Sequence, residues 1–174
     1  YIGAAIPSAQ MQEHQNLKEL LPGLLEAADL IGSTQVQGRA TICGNLCNAS
    51  PAGDSIPALI AAGAVCDIAN KDGGRQLPVE EFVVGVGRNA LEPGEFLLGV
   101  SIPTPSSTKK AAYLRFIPRT EMDIAVAGAG VAIAIEDNKC VEARIAIGAV
   151  APTARLVERG GEALVGHEIS DETI

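Results

Sequence analysis

Tryptophan is absent from the sequence, and two tyrosines and three phenylalanines make up its aromatic content. A core must therefore be built from Ala, Val, Ile and Leu, which is feasible because hydrophobic residues form 47% of the chain. No apolar run is long enough to cross a bilayer. Positive charge is scarce: 13 Lys and Arg stand against 21 Asp and Glu, a formal net charge of -8. That balance argues against nucleic acid and suits a protein that binds a neutral organic group or another protein. His14 and His167 lie far apart, with no ligand partners at useful spacing. Cys43, Cys47, Cys66 and Cys140 lack zinc or iron–sulfur spacing, so free thiols in a cytoplasmic protein are expected. The phosphate loop G-x-x-x-x-G-K-[ST], the metalloprotease H-E-x-x-H and the nucleophile elbow G-x-S-x-G are missing, and no internal repeat is present. Nucleotidase and hydrolase chemistry thus has no anchor. The chain opens Tyr1-Ile-Gly-Ala-Ala-Ile6 without an initiator methionine or a basic leader. It closes on Ser170-Asp-Glu-Thr-Ile174, the pattern of a helix beginning, so both ends read as cut.

Glycine, in contrast, is abundant, with 19 residues. The stretch from Arg39 to Ala58 is rich in Gly, Asn, Ser and small residues and lies between apolar, helix-patterned segments. It reads as a long loop whose backbone can approach a ligand closely, with short polar arms to help. An ordinary polar connection is the alternative. Before it, Tyr1 to Ile6 reads as a strand and Ser8 as the cap of a helical turn. The apolar spacing from Leu17 to Ile31 is helical, with Pro22 starting a fresh helix and Gly32 ending it. After it, Asp54 or Ser55 begins a helix that ends at Gly63.

Ala64 to Ala69 and Arg75 to Pro78 pair as strands around Lys71-Asp-Gly-Gly, Val79 to Val83 forms one helical turn, and Phe96 to Ile102 is a further strand. Gly85-Val-Gly-Arg-Asn-Ala90 matches the dinucleotide string G-x-G-x-x-A. Leu91-Glu-Pro-Gly94 forbids the helix that motif needs, so an ordinary turn is expected. Pro103-Thr-Pro-Ser-Ser-Thr108 reads as a linker, giving domains 1–104 and 105–174. Beyond it, Ala111 to Ile117 is a strand, and Ile124–Glu136 with Cys140–Val150 forms a long hairpin around Asp137-Asn138. Val131, Ile133 and Ile135 share one face of that hairpin. The other face is mostly Ala and Gly, close enough to backbone for a helix to pack on it. Thr153 to Leu164 reads as helical.

Thr41-Ile-Cys-Gly-Asn45, then Asn48-Ala-Ser-Pro51 and Asp54, resembles the second FAD-binding motif of the molybdenum hydroxylases, the xanthine dehydrogenase and carbon monoxide dehydrogenase type enzymes. The family pattern is T-I-G-G-N, then A-S-P, then Asp nine residues after the Asn, and Asn45 to Asp54 keeps that spacing. Arg75-Gln-Leu-Pro-Val-Glu-Glu-Phe82, Pro93-Gly-Glu-Phe-Leu-Leu98 with Ile102-Pro103, and Tyr113 to Ala125 are also similar to segments of the family's flavin domain, or medium subunit. The resemblance implies an α+β fold: the second subdomain of a vanillyl-alcohol-oxidase-like (PCMH-type) FAD-binding fold, followed by a small antiparallel-sheet C-terminal domain.

The resemblance also assigns roles. Thr41, Ile42, Cys43, Gly44 and Asn45 would wrap FAD with backbone donors and short side chains. Asp54 would hold a flavin or ribityl hydroxyl, with a helix N-cap as its structural alternative. Leu97 would pack on the flavin or in the core. Arg115 stands where many members carry Lys, a cation favouring anionic reduced flavin. Ile31 stands where some members place an aromatic. Cys43 replaces the first glycine of G-G; if that position needs positive φ, the exchange costs about 1 kcal/mol or more, and otherwise a small side chain fits. The family's A-G-G pyrophosphate loop belongs to an N-terminal FAD subdomain and falls before this chain's first residue, so the piece alone is expected to bind FAD weakly or not at all and to be inactive. The implied activity is that of an oxidoreductase subunit. Substrate is hydroxylated at molybdopterin on a large subunit, and electrons pass through 2Fe–2S clusters on a small subunit to FAD, then to NAD, oxygen or another acceptor. A subunit-interaction module that has lost FAD is the alternative, and a small metabolite-binding domain is a third.

Overall fold

The computed structural model describes residues 1–119 and 123–170. The chain begins with β1 (Ile2–Gly3), α1 (Ser8–Glu13), α2 (Gln15–Leu20), α3 (Pro22–Asp29), α4 (Thr34–Gln37), α5 (Ile42–Asn48) and α6 (Ser55–Ala61). It continues with β2 (Val65–Asn70), β3 (Gly73–Pro78), α7 (Val79–Phe82), β4 (Val83–Gly85), β5 (Arg88–Asn89) and β6 (Phe96–Ser101). β7 (Lys109–Phe116), β8 (Ala127–Glu136), β9 (Lys139–Gly148), β10 (Arg155–Leu156) and α8 (Glu158–Leu164) complete it. The fold is α+β. One antiparallel sheet has the order β1-β6-β2-β3 and a second has the order β10-β9-β8-β7, while β4 and β5 form a short ribbon.

The second sheet follows from alternation. Gly128, Gly130, Ala132 and Ala134 are the buried set on β8, while Val131 and Ile133 on the opposite face are only half-buried. The β8–β9 turn is Asp137-Asn138, both with positive φ (47° and 66°), a conformation that Asx residues tolerate. The Gly/Ala face receives α6, whose seven residues are all buried. A Cβ on Gly130 would lie 2.6 Å from the Pro57 carbonyl oxygen, and one on Gly148 would lie 2.7 Å from Pro57 Cγ. At the β7 side, Gly23 of α3 lets the helix approach the Ala112 backbone, where a Cβ would be 2.8 Å from Ala112 N. Helix and sheet thus meet nearly backbone to backbone. On the outer face of this sheet Leu114 and Phe116 remain 76% and 64% exposed.

The central stretch is not one long loop. It folds into α5 and the head of α6, separated by Ala49 at φ 52°. Gly44, Asn45 and Asn48 are poor helix formers, yet Thr41 caps the turn by accepting from Gly44 N–H at 2.8 Å, and Ile42, Cys43 and Leu46 are buried under it. Cys43 is helical rather than positive in φ, so the backbone exacts no strain for its side chain. β1 is shorter than the expected strand. Ser8 lies inside α1 behind Pro7 and donates instead to the Ala40 carbonyl at 3.1 Å. The helix expected from Thr153 starts only at Glu158. Arg155–Leu156 continue the ladder on β9, and Val157 N–H extends it to the Ile145 carbonyl at 2.7 Å. Gly87, at φ 64°, turns the β4–β5 ribbon, in keeping with the rejection of a dinucleotide loop.

Candidate functional site

The head of α6 and the strand β7 together build a buried polar cluster. Residues two apart on a strand share a face, so Tyr113 and Arg115 both point from β7 toward α6. The Tyr113 hydroxyl donates to Asp54 Oδ1 at 2.9 Å, and Arg115 Nη1 donates to Asp54 Oδ2 at 3.0 Å. The same Nη1 also donates to the Leu30 carbonyl at 3.2 Å. Gly128 makes room for the phenol: a Cβ there would collide with the Tyr113 hydroxyl. Tyr113 N–H, on the free edge of β7, is met by Glu26 Oε2 at 2.8 Å. Asp54 sits at the capping position of α6 but makes no side-chain cap bond. Its carboxylate is committed to the sheet.

Both charged side chains of the pair are only 10% exposed. Burial pushes the Asp54 carboxyl above the usual carboxylate range, and the Tyr113 hydroxyl and Arg115 guanidinium pull the other way without reversing it. Burial, and then the Asp54 charge, push the Tyr113 phenol far up, so it is a fixed donor. Arg115 Nε is buried with no partner among the described residues.

A cleft of about 290 Å³ opens beside this cluster, lined by Leu30, Ile31, Asn45, Ser50, Asp54, Arg115, Asp123 and Ile124 among others. Asn45 Oδ1 accepts from Ser55 Oγ at 2.7 Å, which orients the amide at the cleft floor. Arg119 holds Asp123 with two hydrogen bonds of 2.9 and 3.0 Å and lowers its carboxyl to about 2. The walls are apolar at Ile31 and Ile124 and polar at Asn45, Asp54 and Arg115. This mixture suits a flat organic ring carrying hydrogen-bonding edges.

The structure brings Ile31, Asn45, Asp54 and Arg115 together around this cleft. It does not bring Thr41, Ile42, Cys43, Gly44 or Leu97 to its wall. Thr41 is the α5 cap, while Ile42 and Cys43 are 1% and 2% exposed beneath the helix. Gly44 is exposed, but its N–H serves Thr41 Oγ1, and Asn45 N–H serves the Thr41 carbonyl at 2.9 Å, so these backbone donors are spent within α5. Leu97 is 7% exposed in the core, paired with Ile68 across β6 and β2. Desolvation by burial, then the neighbouring Cys47, raises the Cys43 thiol to about 12. Tyr113 is the site residue that the sequence reading passed over; its place two residues before Arg115 on an alternating strand was the available signal. A larger hollow of about 690 Å³ between β9 and α8 contains none of the expected residues. Among the described residues no group of three His, Cys, Asp or Glu could hold a metal ion, and no helix is long and apolar enough to cross a membrane.

Residues 1–105 match the family described as FAD binding domain in molybdopterin dehydrogenase, and residues 112–174 match the CO dehydrogenase flavoprotein C-terminal domain. The chain is 30% identical to the nicotinate dehydrogenase FAD-subunit of Eubacterium barkeri, over 100% of its own length and 60% of the relative's. It is 33% identical to the carbon monoxide dehydrogenase medium chain of Afipia carboxidovorans, over 95% of its own length and 57% of the relative's. Among solved structures, carbon monoxide dehydrogenase from Hydrogenophaga pseudoflava superposes with a TM-score of 0.92 at 29% identity, covering 98% of this chain and 59% of that one. The chain thus spans somewhat under two thirds of the curated relatives it matches.

Proposed function

This chain belongs to the family of FAD-binding domains of molybdopterin dehydrogenases, and from that premise we propose that its cleft forms one side of a flavin site in an electron-transferring subunit. Bound FAD supplies a two-electron carrier between iron–sulfur clusters and a final acceptor such as NAD or oxygen. The residues present fit such a group. Arg115 places a guanidinium at the cleft wall, Asn45 and Ser50 add short polar arms, and Ile31 and Ile124 offer apolar contact. Residues 1–104 would carry the flavin contacts, and residues 105–174 would close the cleft through β7. The large molybdopterin subunit and the small 2Fe–2S subunit are the partners this reading requires.

The observation that carries the reading is convergence. Ile31, Asn45, Asp54 and Arg115 come from four separate segments of the chain and meet at one cleft of about 290 Å³. In this arrangement Asp54 works through Arg115: one carboxylate oxygen anchors the guanidinium, which stands at the cleft wall as a fixed cation. The residues thereby bind and orient, and the cation makes the addition of negative charge within the cleft easier. The test is flavin retention by the protein purified from its native host. Wild type is expected to be yellow, and Asp54→Ala to lose most of its flavin through gel filtration. Full flavin occupancy in Asp54→Ala would defeat the assignment of Asp54.

A second reading is favoured by two features. Gly44 and Asn45 backbone donors are consumed inside α5, and Leu114 and Phe116 form an uncovered apolar face, as in a module kept for subunit contact. A colourless protein that still co-purifies with a molybdenum subunit would support that reading over the first.

A further inference from the structure

Gly44 and Asn45 spend their backbone N–H groups on Thr41, within α5. What Asn45 offers the cleft is therefore its side chain, half-buried in the cleft wall. A primary amide shows a neighbour either an acceptor oxygen or two N–H donors, and the side that faces the cleft decides what the cleft recognises. Ser55 settles that choice. It is fully buried, and among the described residues its hydroxyl makes one hydrogen bond, to Asn45 Oδ1 at 2.7 Å. A hydroxyl also accepts, but turning the amide over would set Nδ2 against Oγ and leave the buried Ser55 proton with no acceptor, a desolvation cost that nothing there offsets. Gly53 encloses the same oxygen, since a Cβ on it would lie 3.1 Å from Oδ1. Oδ1 thus faces inward and Nδ2 faces the cleft. Among the described residues Nδ2 has no hydrogen-bond partner, and it is not one of the buried unpartnered polar atoms.

We propose that Ser55 is a positioning residue for the cleft: by holding Asn45 Oδ1 inward it turns the two Nδ2 N–H groups outward, so that this position takes a hydrogen-bond acceptor and rejects a donor. The inference rests on the flavin reading above and fixes the polarity of one contact within it. A flavin offers acceptors at its ring carbonyl oxygens, its unprotonated ring nitrogens and its ribityl oxygens, and a donor at its ring N–H. The Asn45 contact falls on one of the acceptors. Ser55 reaches the cleft only through Asn45, and an amide already held in one orientation binds without first losing its rotational freedom.

The experiment uses the protein purified from its native host with its partner subunits. Flavin release after dilution is followed by the rise in free-flavin fluorescence, at a temperature well below unfolding. Asn45→Asp keeps the size of the side chain and the acceptor for Ser55 but exchanges the donor in the cleft for an acceptor, so release should quicken about tenfold or more. Asn45→Ala, which removes the donor without adding charge, should quicken it about three- to tenfold. Ser55→Ala should quicken it about threefold, because the amide is no longer held. Ser55→Cys, of nearly the same volume with a weaker donor, should fall between Ser55→Ala and wild type, and it carries the test if the alanine variant does not assemble. In the Asn45→Ala background Ser55→Ala should add nothing, because the amide through which Ser55 acts is gone. A Ser55 that served only the stability of α6 would speed release equally in both backgrounds, and that result overturns the proposal. Release from Asn45→Asp no faster than from wild type overturns it as well, by showing a ligand donor at this position. A wild-type protein without flavin overturns the flavin reading and this inference together, whereas flavin present with its release unmoved by the Ser55 substitutions overturns only the inference.

Discussion

Gly130→Ala is the sharpest test of how the site is held together. The added Cβ would sit 2.6 Å from the Pro57 carbonyl oxygen, 2.7 Å from its carbonyl carbon and 2.9 Å from Ala58 N. These are backbone atoms of a fully buried helix, so no flexible side chain can swing aside. Ordinary contact begins at 3.4 Å, and α6 must therefore lift by roughly 0.5 to 0.8 Å from the sheet, an overpacking that costs about 1–3 kcal/mol. Gly130 does not have positive φ, so alanine also loses less freedom on folding, which returns about 0.4–1 kcal/mol. The net expectation is about 1–2 kcal/mol of destabilisation, or about 2–8 °C in Tm for a chain of this size. Urea unfolding of the purified protein followed by circular dichroism reads it directly. Gly160→Ala is the control: its nearest neighbours are the side-chain atoms Val157 Cγ1 at 3.3 Å and Ile145 Cδ1 at 3.4 Å, and it lies in a helix, so it should be neutral or slightly stabilising. A Gly130→Ala protein within about 0.5 kcal/mol of wild type would refute the close backbone packing on which the placement of Asp54 depends.

The second latch between the halves of the chain gives a related outcome. Arg144 donates through Nε and Nη2 to the Ile60 carbonyl and through Nη2 to Glu80 Oε1 at 2.9 Å, and Glu80 Oε2 is already buried without a partner. Arg144→Ala should cost about 1–3 kcal/mol in the same urea assay, and a loss below about 0.5 kcal/mol would show that the carboxylate finds water instead. The two cleft carboxyls should titrate on opposite sides of the ordinary value of 3.8. Asp54 is raised by burial, so its contribution to stability is complete below 3.8 and is lost as pH rises through its folded value. Asp123 is held at about 2 chiefly by the Arg119 hydrogen bonds, so its contribution is present above 3.8 and lost as pH falls toward 2. Carbon-13 titration of the aspartate carboxyls checks both, and coincident values near 3.8 would contradict the geometry.

Much of the fold was readable because local chemistry and periodicity agreed. Asp137-Asn138 announced the hairpin, Pro22 opened α3, and the Ala/Gly face of β8 announced a helix packed closely on it. The centre of the chain was harder. Gly44, Asn45 and Asn48 look like loop residues, and only burial of Ile42, Cys43 and Leu46 makes a helix of them, which is tertiary information. The same burial explains why part of the motif lies away from the cleft: it shapes the backbone that presents Asn45 and Asp54. The link from Tyr113 to Asp54 spans 59 residues, and nothing local to either position foretells it. Alternation could place Tyr113 beside Arg115, but only the fold shows which helix that face meets.

The Gly/Ala surface under α6 has a dynamic consequence. Its residues, Gly128, Gly130, Ala132 and Ala134, have no rotatable side chains, so joining the two halves freezes almost no rotamers there. Equally, none of these four residues can rearrange by rotamer hopping. On the sheet side, adjustment to α6 must therefore come from backbone movement of β8, which carries the Gly128 that Tyr113 packs against.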